Sequence, residues 1–458
     1  MGLTMRIDRL NWGPVGFRHR PSTKWGMSMS TSAARQASED LDPRRYLVVS
    51  SDSHAGPSLE RDLRTYCPAS YLEDFDDFVR QVPRGVGHGQ LITMATQDDA
   101  APLLKEAFAR TSGCPGQTDP DARLRDMDEA GIAAEMIFAG GQNGEMLPFI
   151  GIGWDAGSRD IARELRAVGE HIWNQWLVEF VSSAPERLLG VMQVPLWDVD
   201  AAVREIEWGR TMGLRAVNLP APRSDLVAYN DPVYEPFWSA CESLGLPLVT
   251  HGGGGDAPLG FPGPGGKHLY LYESGWLSRR HLWQLIFGGV FHRHPSLKLV
   301  FTEQRVRWVG PTLTELDSIY DSEDWARELR ADLPKSPSEY WASNCYNSGS
   351  FLTEWEAAMR DEVGVENLLW GSDYPHYEGT WPSTKLALRN TFSSLPERDT
   401  RRILGENAVT AYGLDANALR LVADQIGPTP EELRVPLDPH EFPAFRSAAF
   451  RTAGRWSS

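Results

Sequence analysis

The chain has only four cysteines in 458 residues, Cys67, Cys114, Cys241 and Cys345, and no two stand in C-x-x-C spacing. That excludes a disulfide framework and a Cys-rich zinc site, and it fits a reducing compartment. No apolar run is long enough to span a bilayer, and residues 1–45 are basic and polar without a contiguous apolar signal region. Those residues read as an N-terminal extension, with Met27 or Met29 as alternative starts, and the expected location is the cytoplasm. Clusters of Lys and Arg are missing as well, and the formal charge is −17. A nucleic-acid or anionic-membrane partner is therefore not expected, because phosphate contacts need concentrated cations. An anionic substrate would need a local positive group, such as a metal ion or a particular arginine. No G-x-G-x-x-G follows the first apolar run, which removes the main argument for a dinucleotide. No G-x-S-x-G is present and no cysteine adjoins a strand-end histidine, so covalent nucleophilic catalysis is not expected.

What is present is a core-forming composition, 41% apolar and 10% aromatic, arranged as a repeat. Short Val/Ile/Leu-rich runs fall at 46–51, 133–138, 188–194, 214–219, 246–250, 297–302, 343–347 and 367–371, the seventh being weak as a strand. Helical patterns lie between them at 121–131, 158–183, 198–212, 231–245, 274–293, 305–330 and 350–363, with a last set over about 383–413. Continuous apolar strands separated by helices predict a parallel sheet buried on both faces. Eight such units predict an α/β fold of the (β/α)8 barrel type over residues 46–413, in preference to an open doubly wound sheet. A long insertion, 55–120, follows the first strand, and a Gly/Pro-rich loop, 252–268, follows the fifth. Loops at strand ends are where barrels build pockets and lids. Residues 414–458 read as a tail packed on the barrel or on a partner subunit.

Polar groups collect at the strand ends. Asp52 and His54 stand two apart after the first run, and alternation along a strand points both to one side. His251 directly follows the fifth run, Glu303 the sixth, and Asp373 the eighth, with His376 three residues on. Carboxylates and imidazoles are costly in a dry interior unless paired or metal-bound. The economical account is that Asp52, His54, His251, Glu303 and Asp373 surround a divalent metal, water completing the shell. The other histidines carry plainer readings. His171 fits a core or interface position; His281, His292 and His294 should face outward from the helix before the sixth strand; His268, in the Gly/Pro loop, is a candidate substrate contact.

At these residues the chain resembles the amidohydrolase superfamily, and within it the amidohydrolase-related branch that includes aminocarboxymuconate-semialdehyde decarboxylase and the resorcylate-type decarboxylases. The pieces that carry the resemblance are SSDSHAG, RLRDMDEAGI, LVTHGGGG, HPSLKLVFTE, LLWGSDYPHYEGTWP and GENAVTAYGL, in that order over residues 46–413. The resemblance implies that Asp52 and His54 stand at the first-strand metal pair, often His-x-His in the family, and His251 at the fifth-strand ligand. It implies that Asp373 is the eighth-strand aspartate that binds metal and handles a proton. Glu303 falls where many relatives have histidine, and it is an alternative catalytic base.

Two departures follow. Asp52 and Glu303 make the ligand set rich in oxygen, which leans towards Mn or Fe, although Zn accepts such sites. No Lys ends the fourth strand, which closes the carbamylated-lysine route to a bridged metal pair. The expected activity is metal-dependent hydrolysis or decarboxylation of a small organic molecule, with Arg305 available to hold a carboxylate. The alternatives are a dinuclear Fe or Mn oxygen-activating enzyme, with Glu303 and His376 on a second metal, and a non-catalytic barrel subunit that supports an active partner chain. A homo-oligomer, or a hetero-oligomer with a related barrel, is the expected assembly.

Overall fold

A computed structural model describes residues 44–81, 102–150, 161–253, 264–324 and 326–450. The expected extension lies outside the described residues up to residue 43, as do the middle of the insertion and most of the Gly/Pro-rich loop. Nine strands make the sheet: β1 (Val49–Ser50), β2 (His54–Ala55), β3 (Ala134–Ala139), β4 (Leu188–Met192), β5 (Ala216–Asn218), β6 (Leu248–His251), β7 (Leu299–Thr302), β8 (Cys345–Ser350) and β9 (Leu368–Gly371). β1 and β2 are two halves of one broken stave, because both pair with β3. Every neighbouring pair is parallel and in chain order, from β1 to β9. The eight staves are the expected (β/α)8 barrel, and the weak seventh run forms β8, six buried residues long.

The last stave returns to the first through main-chain bonds. Ser51 N–H donates to Trp370 O at 2.9 Å, Asp373 N–H to Asp52 O at 3.0 Å and His54 N–H to Tyr374 O at 2.6 Å. Ser53 bridges Tyr374 in parallel. Side chains seal the same seam, with Ser50 Oγ 3.0 Å from Ser372 Oγ, 322 residues away.

The insertion contributes α1 (Leu72–Gln81) and α2 (Pro102–Ser112). The outer ring includes α3 (Pro120–Ala130), α4 (Arg163–Ser182), α5 (Val199–Thr211), α6 (Glu235–Leu244), α7 (Gly266–Phe287), α8 (Val309–Tyr320), α9 (Pro337–Asn344) and α10 (Thr384–Phe392). Local chemistry sets their ends. Asp119 caps α3 by accepting from Asp121 N and Ala122 N, Pro120 starts it, and Gly131 ends it at φ 80°.

Alternation then divides the core. Val49, Met136, Val191, Val249, Val300 and Leu369 fill the barrel interior. Trp173, Leu177, Phe237, Trp341 and Trp370 pack between staves and helices. From residue 414 onward, Ala448, Ala449 and Phe450 pack against Phe351 and Ala387 on the barrel.

Two expectations need correction. The helix expected at 274–293 begins at Gly266 and stops at Phe287. His281 is buried, not outward: it stands beside Leu282 and Leu285, which pack in the core, with its ring between Ser278 O at 2.5 Å and Pro220 O at 2.9 Å. His294 is buried too, bonded to Glu235 and Glu242 at 2.8 and 3.1 Å. His292 does face outward.

Candidate metal centre

The break in the first stave drops Asp52 and His54 into the C-terminal mouth, where the ends of β6, β7 and β9 meet them. His54 Nε2 lies 3.4 Å from Asp52 Oδ1 and 3.3 Å from Asp373 Oδ1. His251 Nε2 is 3.5 Å from Asp52 Oδ1, and its Nδ1 is 3.4 Å from Glu303 Oε2. His376 Nδ1 is 2.8 Å from Asp373 Oδ1, and its ring stacks on His54 with centroids 3.9 Å apart. Asp52, His54 and Asp373 are completely buried. Glu303 and Asp373 adopt left-handed φ values of 53° and 55°. For non-glycine residues this is strain of the kind that persists at functional sites, and it turns both carboxylates off the strand alternation.

Each imidazole is aimed by its other nitrogen. His54 Nδ1–H donates to Ala139 O at 3.0 Å, which leaves the Nε2 lone pair pointing into the cluster. The partners of His376 Nε2 and His251 Nδ1 are Gly140 O and Gly252 O, both at 2.7 Å. Asp52 is held by its other oxygen: Ser350 Oγ donates to Oδ2, leaving Oδ1 for the two histidines. Gly371 lets the staves approach this closely, since a Cβ there would come within 2.8 Å of Asp52 Cβ.

Behind the first stave, Arg123 is fully buried and pairs with Glu135. It donates to His54 O at 2.6 Å and to Ser53 Oγ at 2.7 Å, and covers the Tyr374 ring at 4.3 Å. One arginine therefore ties the first stave to the eighth.

Electrostatics set these groups against one another. Burial works to raise the Asp52 carboxyl, but His251 and His54 outweigh it and hold it well below the usual carboxylate range. Burial likewise works against the His251 cation, yet Asp52 and then Glu303 lift it to about 9. For His54 burial wins, and its pKa falls. Asp373 is pushed well above the carboxylate range by burial, with His376 pulling back. Glu303 is raised by burial, against His251 and with Asp373.

This donor set fits a divalent cation. Asp52 Oδ1, His54 Nε2 and Asp373 Oδ2 are buried and make no hydrogen bond. Separations of 3.3–3.5 Å suit donors that share an ion at about 2.1 Å. Asp52, His54 and His251 form one group that could hold an ion, and His54, Asp373 and His376 a second. A third joins Glu303 and Asp373 to Glu378, whose two oxygens each accept from Gln142 Nε2 at 2.9 Å.

The six residues expected as ligands are thus brought together, whereas two expected substrate contacts are not. The Arg305 side chain is 41% exposed and pairs with Glu356 at 3.3 Å. His268 is exposed in the first turn of α7. Sequence reading missed Glu378, although it lies in the same SDYPHYE motif. It also missed Ser350 and Arg123, which have no local signal because they act on residues far away in the chain.

A parallel eight-stave barrel with a histidine–carboxylate cluster at its C-terminal mouth defines a metal-dependent barrel enzyme. The family model described as Amidohydrolase matches residues 108–414, and the chain belongs to that family. Gamma-resorcylate decarboxylase of Rhodococcus jostii (strain RHA1) is 25% identical over 324 residues, covering 64% of this chain and 88% of that protein. A solved amidohydrolase from Mycobacterium avium subsp. paratuberculosis K-10 superposes with a TM-score of 0.56 at 20% identity, over 82% of this chain and 100% of that one. The 5-carboxyvanillate decarboxylase of Novosphingobium aromaticivorans DSM 12444, solved with bound manganese, gives 0.56 at 16% identity, over 81% and 97%. The two solved structures share the barrel.

Proposed function

We propose that this chain is a carboxy-lyase for a small, ring-bearing carboxylic acid, with Asp52, His54, His251 and Asp373 holding one Mn, Fe or Zn ion. The observation that carries this reading is the convergence at one mouth of buried donors whose other atoms are already anchored. The decarboxylase relatives favour loss of CO2 over hydrolysis by the same ligands. When bound, the ion supplies Lewis-acid anchorage for the substrate carboxylate. Asp373 delivers a proton to the carboxylated ring carbon. The carbon–carboxylate bond then breaks, its electron pair returns to the ring, and CO2 leaves, so one proton is consumed per turnover. His376, 2.8 Å from Asp373 Oδ1 and anchored on Gly140 O, is placed to restore that proton. Phe138, 5.1 Å from the His251 ring and 6.0 Å from that of His54, keeps one side of the cluster dry.

The test is CO2 release from a panel of hydroxybenzoic acids by the manganese-loaded chain. Asp373→Asn should abolish it, and full activity in that variant would sink the assignment. A second reading, two metals and oxygen activation, draws on the Glu303–Asp373–Glu378 cluster. Two ions per chain including iron, with oxygen consumed during turnover, would favour it. Turnover by the chain alone would remove the supporting-subunit reading.

The partner in this proposal is a small molecule, and no nucleic acid is involved. Self-association has support in Leu269, Tyr272 and Trp276, which leave an exposed apolar stripe at helical spacing on α7. A cytoplasmic setting has support in four cysteines that are all free and buried. No helix among the described residues is long and apolar enough to cross a membrane.

A further inference from the structure

On the far side of the mouth from Asp52, β4 and β5 end in two carboxamides. Val191 and Ala216 pair in register and fill the barrel interior. Two residues further along each stave the side chain faces the same way, so Gln193 and Asn218 enter the mouth. Asn218 Nδ2 donates to Gln193 Oε1 at 2.9 Å. Asn218 pairs with Val249, and His251 follows two residues on along β6. Asn218 therefore stands roughly 8 Å from the His251 position, one strand spacing across and two residues down, with Gln193 one strand further away.

The two amides open onto a cavity of about 20 Å3, also lined by Arg166, Glu170, Trp197 and Arg223. That volume seats one water-sized group. Arg166 is 3% exposed and Glu170 is 8% exposed. The Arg166 guanidinium lies 4.2 Å over the Trp197 ring and donates from one terminal nitrogen to Asp225 Oδ2 at 3.0 Å. Asp225 also accepts from Arg223 at 3.0 and 3.3 Å, so one carboxylate serves both cations. Arg166 Nε–H and Glu170 Oε2, by contrast, are buried and make no hydrogen bond. A donor and an acceptor so placed call for a group that is both acceptor and donor, and only one non-hydrogen atom fits. A carboxylate is too large, and a methyl satisfies neither.

We propose that Arg166, Glu170 and the Gln193–Asn218 pair form a one-atom subsite for a hydroxyl on the substrate, across the ring from the carboxylate held at the metal centre. The proposal rests on the carboxy-lyase reading and adds to it the substituent that this enzyme selects. Burial supports the assignment by raising Glu170 to about 8, against Arg166 and Arg223, so at neutral pH the carboxyl keeps its proton and does not ionise against the ring.

The experiment uses the full, manganese-loaded chain and two probes: salicylate, and its analogue with one more hydroxyl para to the carboxylate. Calorimetry should find the second probe about tenfold tighter, the worth of one well-placed buried hydrogen bond. Glu170→Leu and Arg166→Met should each bring the ratio close to one. Glu170→Gln should retain most of the preference. Equal binding of the two probes by the wild-type chain, or a preference that survives in a folded Glu170→Leu chain, overturns the subsite and leaves the carboxy-lyase reading standing. If neither probe binds in a manganese-dependent way, both readings fall.

Discussion

Replacing Asp52 with Asn tests the metal centre without a substrate. The substitution keeps the shape of the side chain and an oxygen for Ser350 Oγ, but removes the anionic donor 3.4 Å from His54 Nε2 and 3.5 Å from His251 Nε2. Losing a residue that merely orients a ligand typically costs 10–100-fold in metal affinity, so losing an anionic ligand should cost at least ~100-fold. With free Mn2+ at 100 times the wild-type Kd, binding stabilises the fold by about 2.7 kcal/mol, and a Kd weakened ~100-fold leaves only about 0.4 kcal/mol. A barrel of about 400 residues unfolds with an entropy near 0.8 kcal/mol per degree, so the Mn2+-induced rise in Tm should fall from about 3 °C to about 0.5 °C. Differential scanning fluorimetry with and without Mn2+ reads this directly. Glu366→Gln, a surface carboxylate paired with Arg402, controls for net charge and should retain the full rise. A full rise in Asp52→Asn would refute the ligand assignment.

Three other outcomes follow from the packing. Gly371→Ala places a Cβ 2.8 Å from Asp52 Cβ and 3.2 Å from Ser350 Oγ, so it should weaken Mn2+ affinity by about tenfold or more while circular dichroism stays unchanged. Arg123→Ala strands the buried Glu135 carboxylate and should cost ~3–5 kcal/mol in urea unfolding; a loss below about 1 kcal/mol would show that the pair is not needed. Burial lowers His281 from 6.5 to about 4, so the folded chain keeps it neutral while the unfolded chain takes up a proton below pH 6.5. Its contribution is present above pH 6.5 and is lost as pH falls towards 4, by about 3 kcal/mol in all. His281→Gln should flatten that acid limb, measured as unfolding midpoint against pH.

The staves and five of the candidate ligand positions are legible because period and order are local properties. A buried parallel strand is a short apolar run, and a polar residue just after it lies at the mouth. Orientation was less legible. Glu303 and Asp373 sit at positive φ, where alternation no longer says which way a side chain points, and so His376 could not be assigned a direction. The face of His281 is not legible from its place before the sixth strand: it stands beside Leu282 and Leu285, which pack in the core. Ser350, Arg123 and the Gln193–Asn218 pair act across the barrel, and no spacing in the chain announces them.

The seam between β9 and β1 has a consequence for biosynthesis. The donors on its two sides, Asp52 and His54 on one and Asp373 on the other, come from opposite ends of the barrel sequence, joined by main-chain bonds that form only when the last stave docks. A nascent chain that has made seven staves has no complete pocket for an ion. On the proposed ligand set, the site is complete only after the eighth stave brings Asp373, so loading would be a late event. An ion held by that set would clasp the first segment of the barrel to the last, coupling departure of the metal to opening of the barrel.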